Sequence, residues 1–306
     1  MSDSPRIPPK GFPSAEEDAR AAAMGPRTPQ TLSPSYRLAY MDPDFLQREE
    51  LRPVRLQLEL LKPELVQHEH GIEHTVVIFG STRIPEAAEA RRLAAAAEAA
   101  AEANPDDPEL VRRAAVARRI LQKSRYYDEA RRLSALIARE CRRKTGCDLV
   151  VITGGGPGIM EAANRGAAEE GAKTAGFNIV LPFEQQPNAY VTPELSFQFH
   201  YFAIRKMHFL LRARALVVFP GGFGTLDELF ETLTLVQTGK VRQVPILLFG
   251  REFWERVVDF EGLCDEGTIS PGDLDLFEYV ETAEEAWARI QDFYRENGGL
   301  DPAPRC

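Results

Sequence analysis

Short unbroken apolar runs alternate with helical stripes along this chain. Thr75–Phe79, Leu149–Ile152, Thr174–Val180, a short run near Leu195–Phe199, Leu216–Phe219 and Val244–Phe249 each hold four to seven residues. Runs of this length predict strands, and the continuously apolar Leu216–Phe219 is what a central parallel strand covered on both faces requires. Between them lie helical stretches: residues 86–144, Tyr201–Arg214, the segment from Thr225 through Leu233, Arg251–Val258 and Thr282–Tyr294. Strands alternating with helices predict an α/β fold. The expected architecture is a Rossmann-like, doubly wound, mainly parallel sheet with helices on both faces.

The chain before the first strand reads differently. Residues 1–40 carry Pro5, Pro8, Pro9, Pro13, Pro26, Pro29 and Pro34 and are expected to form a flexible arm. Residues 41–70 predict a helical extension, with Leu51, Val54, Leu58, Leu61 and Leu65 on one face. Pro53 and Pro63 are expected to break it. The main domain is expected over residues 71–298. Within its long helical stretch, Asn104-Pro-Asp-Asp-Pro108 marks an interruption, with Asp107 as cap and Pro108 at the first helical position.

Composition narrows the function classes. A net charge of −9 argues against a nucleic-acid duplex as partner. No stretch approaches the roughly 20 apolar residues of a membrane span, and the start lacks the apolar core of a secretory signal. Cys141, Cys147, Cys264 and Cys306 form no CxxC pair and read as free thiols, which suits a cytoplasmic location. His68, His70 and His74 lie close in sequence, but no predicted element gathers them, so no metal is expected.

Three strand ends run into glycine turns: Gly80-Ser81-Thr82, Thr153-Gly-Gly-Gly-Pro-Gly158, and Pro220-Gly-Gly-Phe-Gly-Thr225. In a parallel sheet all three meet at the edge formed by the strand C-termini, where ligands bind. Free amides at the helix starts that follow suit a phosphate. The second turn is no Walker loop, because no Gly-Lys-Ser/Thr follows. It is also a poor dinucleotide fingerprint, since the next strand ends at Phe177-Asn178 without a ribose-binding acid. Thr225 is expected to cap the third helix, placing Asp227 and Glu228 in its first turn. Glu228, with Arg205 and Glu184, supplies the catalytic candidates.

At these residues the chain resembles a known family. Pro220-Gly-Gly-Phe-Gly-Thr-Leu-Asp-Glu228 is similar to the PGGxGTxxE signature of the Lonely-guy nucleotide phosphoribohydrolases, once labelled lysine decarboxylases. Gly154-Gly-Gly-Pro-Gly-Ile-Met-Glu-Ala-Ala-Asn-Arg-Gly166 resembles the family's other glycine motif, and Arg205-Lys206 its Arg-Lys pair. The likeness covers roughly residues 72–260. It implies hydrolysis of the N-glycosidic bond of a nucleoside 5′-monophosphate to free base and ribose 5-phosphate, without cofactor. AMP is the favoured substrate over a cytokinin riboside monophosphate, because the segment 86–144 and His200-Tyr-Phe-Ala-Ile204 depart from the short plant-type pattern. A homodimer or higher homo-oligomer is implied.

The same likeness makes Arg205 and Glu228 the catalytic pair. Gly80, Ser81, Gly154, Gly155, Gly156, Gly158, Glu184, Lys206, Gly221, Gly222, Phe223, Gly224, Thr225, Leu226, Asp227 and Thr234 form the expected substrate-binding set. The chemistry suits these residue types: a carboxylate stabilises an oxocarbenium-like ribose and activates water, while an always-charged arginine positions and neutralises. The alternative reading is a nucleotide- or cofactor-binding carrier or sensor that does no chemistry.

Overall fold

The computed structural model describes residues 11–143, 148–182 and 186–297. The chain divides into two compact units, residues 1–58 and 59–306. In the first unit a helix spans Ala15–Ala23 and begins with a capping box, in which Ser14 and Glu17 satisfy each other's backbone amides. Part of the proline-rich arm is thus helical. Arg55 donates to the Leu46 carbonyl at 2.9 Å, tying short turns to the start of the Arg52–Glu69 helix.

The second unit is built on seven parallel strands: β1 (His74–Phe79), β2 (Leu149–Thr153), β3 (Thr174–Ile179), β4 (Ser196–Phe199), β5 (Ala213–Val218), β6 (Ile246–Phe249) and β7 (Glu278–Val280). Their order is β4-β3-β2-β1-β5-β6-β7. β1 pairs with β2 on one side, Val77 opposite Ile152, and with β5 on the other, Val77 opposite Leu216. The chain winds outward from β1 in one direction and then returns to extend the sheet in the other. The switch point therefore lies between the ends of β1 and β5, the position where such sheets bind ligands.

Both sheet faces are buried, which is why the strands read as continuous apolar runs. On one face Val76, Ile78, Val151, Val217 and Leu247 pack on the helices Arg125–Arg143, Ile159–Glu169 and Ala283–Glu296. On the other, Val77, Ile152, Leu216, Val218 and Leu248 pack with Phe209, Leu229 and Trp254 from the helices opposite. Close packing on the first face depends on Gly166: a Cβ there would collide with the Arg131 backbone. Residues 87–143 form three helices, and Asp107 caps the second with Pro108 at its first position.

Two expectations need correction. Pro63 does not break the Arg52–Glu69 helix. A proline leaves the carbonyl four residues earlier without its helical donor, and here that carbonyl, of Glu59, takes a 3.2 Å hydrogen bond from His208 Nε2. Burial lowers the His208 pKa, and the carbonyl acceptor requires the hydrogen on Nε2. Cys141 is disulfide-bonded, whereas Cys264 is free; scattered spacing gave no sign of that pairing. Among the described residues no helix is long and apolar enough to cross a membrane.

Candidate active site

The turns after β1, β2 and β5 are joined through one residue. Ser81 donates its amide to the Pro220 carbonyl at 3.0 Å, and its own carbonyl accepts from the Ile159 amide at 3.2 Å. This proximity leaves no room for side chains. A Cβ at Gly80 would stand 2.5 Å from the Ile159 side chain, and one at Gly158, where φ is +72°, would stand 2.5 Å from the Ser81 carbonyl oxygen.

The third helix starts earlier than expected. It spans Phe223–Gln237 with Gly222 as N-cap, so Thr225 lies inside the first turn and donates its amide to the Gly222 carbonyl at 3.0 Å. The Thr225 side chain packs on Gly221, where a Cβ would overlap it. Asp227 and Glu228 consequently fall in the second turn. Among the described residues no side chain caps this helix. Among the described residues the amides of Gly222, Phe223 and Gly224 have no acceptor, leaving three donors for an anion.

Arg205, from the Phe202–Leu211 helix, reaches across the ends of β3 and β2. Its Nε donates to the Phe177 carbonyl at 2.6 Å, and its guanidinium lies against Gly154, where a Cβ would stand 2.7 Å from one terminal nitrogen. It faces Glu228 with N–O 3.9 Å, and the two side chains are only 13% and 7% exposed. Burial pushes the Glu228 carboxyl up to about 7, against the pull of Arg205 and Lys206. Burial also draws the Arg205 guanidinium down from its ordinary value, opposed by the Glu228 charge. The acid therefore titrates near neutrality beside a cation, the condition in which a carboxyl can take up or give up a proton.

Lys206 bridges Asp227 and Glu231, each at 2.9 Å. Burial pulls its ammonium down, but these ion pairs outweigh it and hold the pKa above its usual value. The pairs fix the Phe202–Leu211 helix to the Phe223–Gln237 helix, and with it the distance from Arg205 to Glu228.

Beneath the second glycine turn lies a polar network that the sequence pattern did not reveal. Asn164 Oδ1 accepts from Thr153 Oγ1 at 2.7 Å and from Asn188 Nδ2 at 2.9 Å, while Asn164 Nδ2 donates to Thr174 Oγ1 at 2.7 Å. Asn188 also donates its backbone amide to the Gly155 carbonyl at 2.8 Å and Nδ2 to the Gly156 carbonyl at 3.0 Å. Asparagine is a poor choice inside a helix, so Asn164 among Ala162, Ala163 and Ala167 was the available signal.

The remaining expected residues divide into two groups. Gly80, Ser81, Gly154, Gly155, Gly156, Gly158, Gly221 and Gly222 lie in the three strand-end turns, and Gly154 among them touches Arg205. Phe223, Leu226, Asp227 and Thr234 instead line a groove of about 510 Å³ along the Phe223–Gln237 helix. Thr234 is exposed and donates to the Phe230 carbonyl at 2.7 Å, while Phe223 is 93% exposed. Glu184 lies outside the described residues. Glu161 accepts a 3.0 Å hydrogen bond from the buried Tyr127 hydroxyl. Among the described residues, His74 is the one of the three neighbouring histidines that joins a close acidic group, with Glu73 and Asp148. That group lies at the opposite sheet edge, where Arg214 donates to the His74 ring at 3.2 Å.

A family model described as "Possible lysine decarboxylase" matches residues 160–290. The cytokinin riboside 5′-monophosphate phosphoribohydrolase LOG7 of Arabidopsis thaliana is 31% identical over 93 residues, 30% of this chain and 43% of that protein. A probable enzyme of the same description from Oryza sativa subsp. japonica, LOGL3, is 29% identical over 91 residues, 29% of this chain and 43% of its own. The chain thus spans less than half the length of the curated relatives it matches. Among solved structures, the Moco carrier protein from Chlamydomonas reinhardtii superposes with a TM-score of 0.42 at 18% identity, covering 73% of this chain and 99% of that one. The resemblance to the Lonely-guy family read from the glycine motifs is borne out by the family model and the curated relatives.

Proposed function

We propose, from that family likeness and from the buried Arg205–Glu228 pair, that the protein hydrolyses the N-glycosidic bond of a nucleoside 5′-monophosphate. AMP is the first substrate to expect, and the products are free base and ribose 5-phosphate. The observation that carries this reading is an acid titrating near 7, 3.9 Å from an arginine and beside three glycine turns.

In this reading the free amides of Gly222, Phe223 and Gly224 take the 5′-phosphate, with the glycines of the other turns shaping the floor. Remote phosphate binding then aligns the ribose with the pair. As the bond from the anomeric carbon to the base nitrogen breaks, its electrons leave with the base and positive charge grows on the ribose. The Glu228 carboxylate stabilises that charge and takes a proton from the attacking water, whose oxygen bonds to the anomeric carbon. Arg205 neutralises charge developing on the leaving base. The base nitrogen takes up a proton from solvent while Glu228 releases the water's proton to solvent, so the equation balances as nucleotide plus water giving base plus ribose 5-phosphate. Lys206 holds the two helices in register.

We further read the exposed groove along the Phe223–Gln237 helix as the place where a second copy would bring Thr234 and Leu226 into use. A phosphorylated nucleotide substrate also suits an intracellular location.

The test is a panel of nucleoside monophosphates, including AMP and a cytokinin riboside monophosphate, followed by chromatography of the free base. Release of base from one of them is the expected result. Binding without release from any would instead favour a carrier or sensor.

A further inference from the structure

Asn178 stands apart from the other amides around the glycine turn. It lies near the C-terminal end of β3, opposite Gln198 of β4 in the register. The residue is 4% exposed, and among the described residues neither its carboxamide oxygen nor its nitrogen has a hydrogen-bond partner. Its neighbours Asn164 and Asn188 are bonded through their carboxamides. A buried amide left unpaired costs free energy that an apolar side chain of similar shape would avoid. The network that holds the turn is complete without it.

Its position explains what an amide could do there. The carboxamide presses on Gly155, where φ is +72° and any Cβ would overlap Oδ1. The preceding residue, Gly154, carries the Arg205 guanidinium against it in the same way. Adjacent turn residues are thus flanked by the cation of the reacting pair and by the unpaired amide. From β5, whose turn offers the free amides, to β3 there are three strand spacings, about 14 Å at roughly 4.8 Å each. A nucleoside monophosphate laid along that edge, with its phosphate on the β5 amides and its glycosidic bond at Arg205 and Glu228, would carry its base toward β3.

We propose that Asn178 is the residue that reads the base, its carboxamide donating to and accepting from the edge of a purine as substrate entry opens the turn. This rests on the nucleotide-hydrolase reading and assigns specificity within the same site. An amide offers one donor and one acceptor side by side, the arrangement that matches the N6 and N7 positions of adenine. Gly154, Gly155 and Gly156 give the turn the backbone freedom such opening needs.

The test compares wild type with Asn178→Leu and Asn178→Asp, using AMP, GMP, CMP and UMP for base release and ribose 5-phosphate as a base-free probe in thermal-shift binding. Both variants should lose at least tenfold in kcat/KM for AMP. The Leu variant should melt no lower than wild type without ligand, and both should bind ribose 5-phosphate as wild type does. Unchanged kcat/KM ratios among the four nucleotides would overturn the proposal. So would loss of ribose 5-phosphate binding in step with AMP turnover, because Asn178 would then support the turn and not the base. If wild type releases no base, the hydrolase reading falls, and the base-reading role is judged by binding. AMP must then stabilise wild type more than ribose 5-phosphate does, a difference the Leu variant abolishes. Equal stabilisation of wild type by the two would overturn it.

Discussion

Arg205 and Glu228 face one another at 3.9 Å with almost no exposure, held by different helices that meet over the ends of the parallel strands. At this separation the arginine lowers the carboxyl pKa without closing a tight hydrogen bond on it. The desolvation penalty prevails, so the acid titrates near 7 and not in the ordinary carboxylate range.

A pH dependence of folding follows. The folded pKa of Glu228, about 7, lies above its ordinary 4.5. The folded chain therefore holds a proton more tightly than the unfolded chain. Its contribution to stability is fully present below about pH 4.5 and is lost as pH rises through about 7. Glu228→Gln removes this loss, so the variant should be more stable than wild type at pH 8 by on the order of 3 kcal/mol, with no such gain at pH 4. Urea melts at the two pH values check this. In wild type, kcat/KM for AMP should rise with pH through the same region, as the carboxylate forms; a rate flat between pH 6 and 8 would remove Glu228 from the base role.

Arg205→Lys should keep the charge and lose the geometry. The guanidinium donates to the Phe177 carbonyl through Nε while a terminal nitrogen faces Glu228. A single ammonium has no second arm to do both. Base release should fall by about two orders of magnitude, as for other preorganised donors, with near-wild-type melting. Retention of more than a third of the wild-type rate would show that charge alone suffices.

Gly166→Ala should destabilise the fold through backbone and not through the site. The added Cβ would overlap the Arg131 carbonyl, and a helix backbone has no rotamer by which to move aside. The Arg125–Arg143 and Ile159–Glu169 helices must then separate, at about 1–3 kcal/mol or more. Denaturant melts measure the loss directly, and an unchanged midpoint would mean the helices separate freely.

The strands were legible because a sheet buried on both faces needs unbroken apolar runs, and Val76 to Phe79 and Leu216 to Val218 supply them. The start of the Phe223–Gln237 helix was not, because its cap is a glycine without a side chain and its first residue an exposed phenylalanine. Proline chemistry pointed to a break at Pro63; the donor that prevents it, His208, is far away in the chain. Arg205 and Glu228 stood out as candidates beside the glycine turns, but their pairing came only from family likeness, since their meeting depends on how two helices pack. The amides of Asn164, Asn178 and Asn188 belong to different elements, and no local spacing joins them.

The bonds through Ser81 carry a lesson for redesign. They run from main chain to main chain, from the Ser81 amide to Pro220 and from the Ile159 amide to Ser81. A peptide group offers the same donor and acceptor whatever side chain it bears. The alignment of the three turns is therefore insulated from most substitutions, provided that the glycines packed against them are kept. A library aimed at new ligands can randomise the side chains around this knot, and the scaffold that presents them should persist from variant to variant.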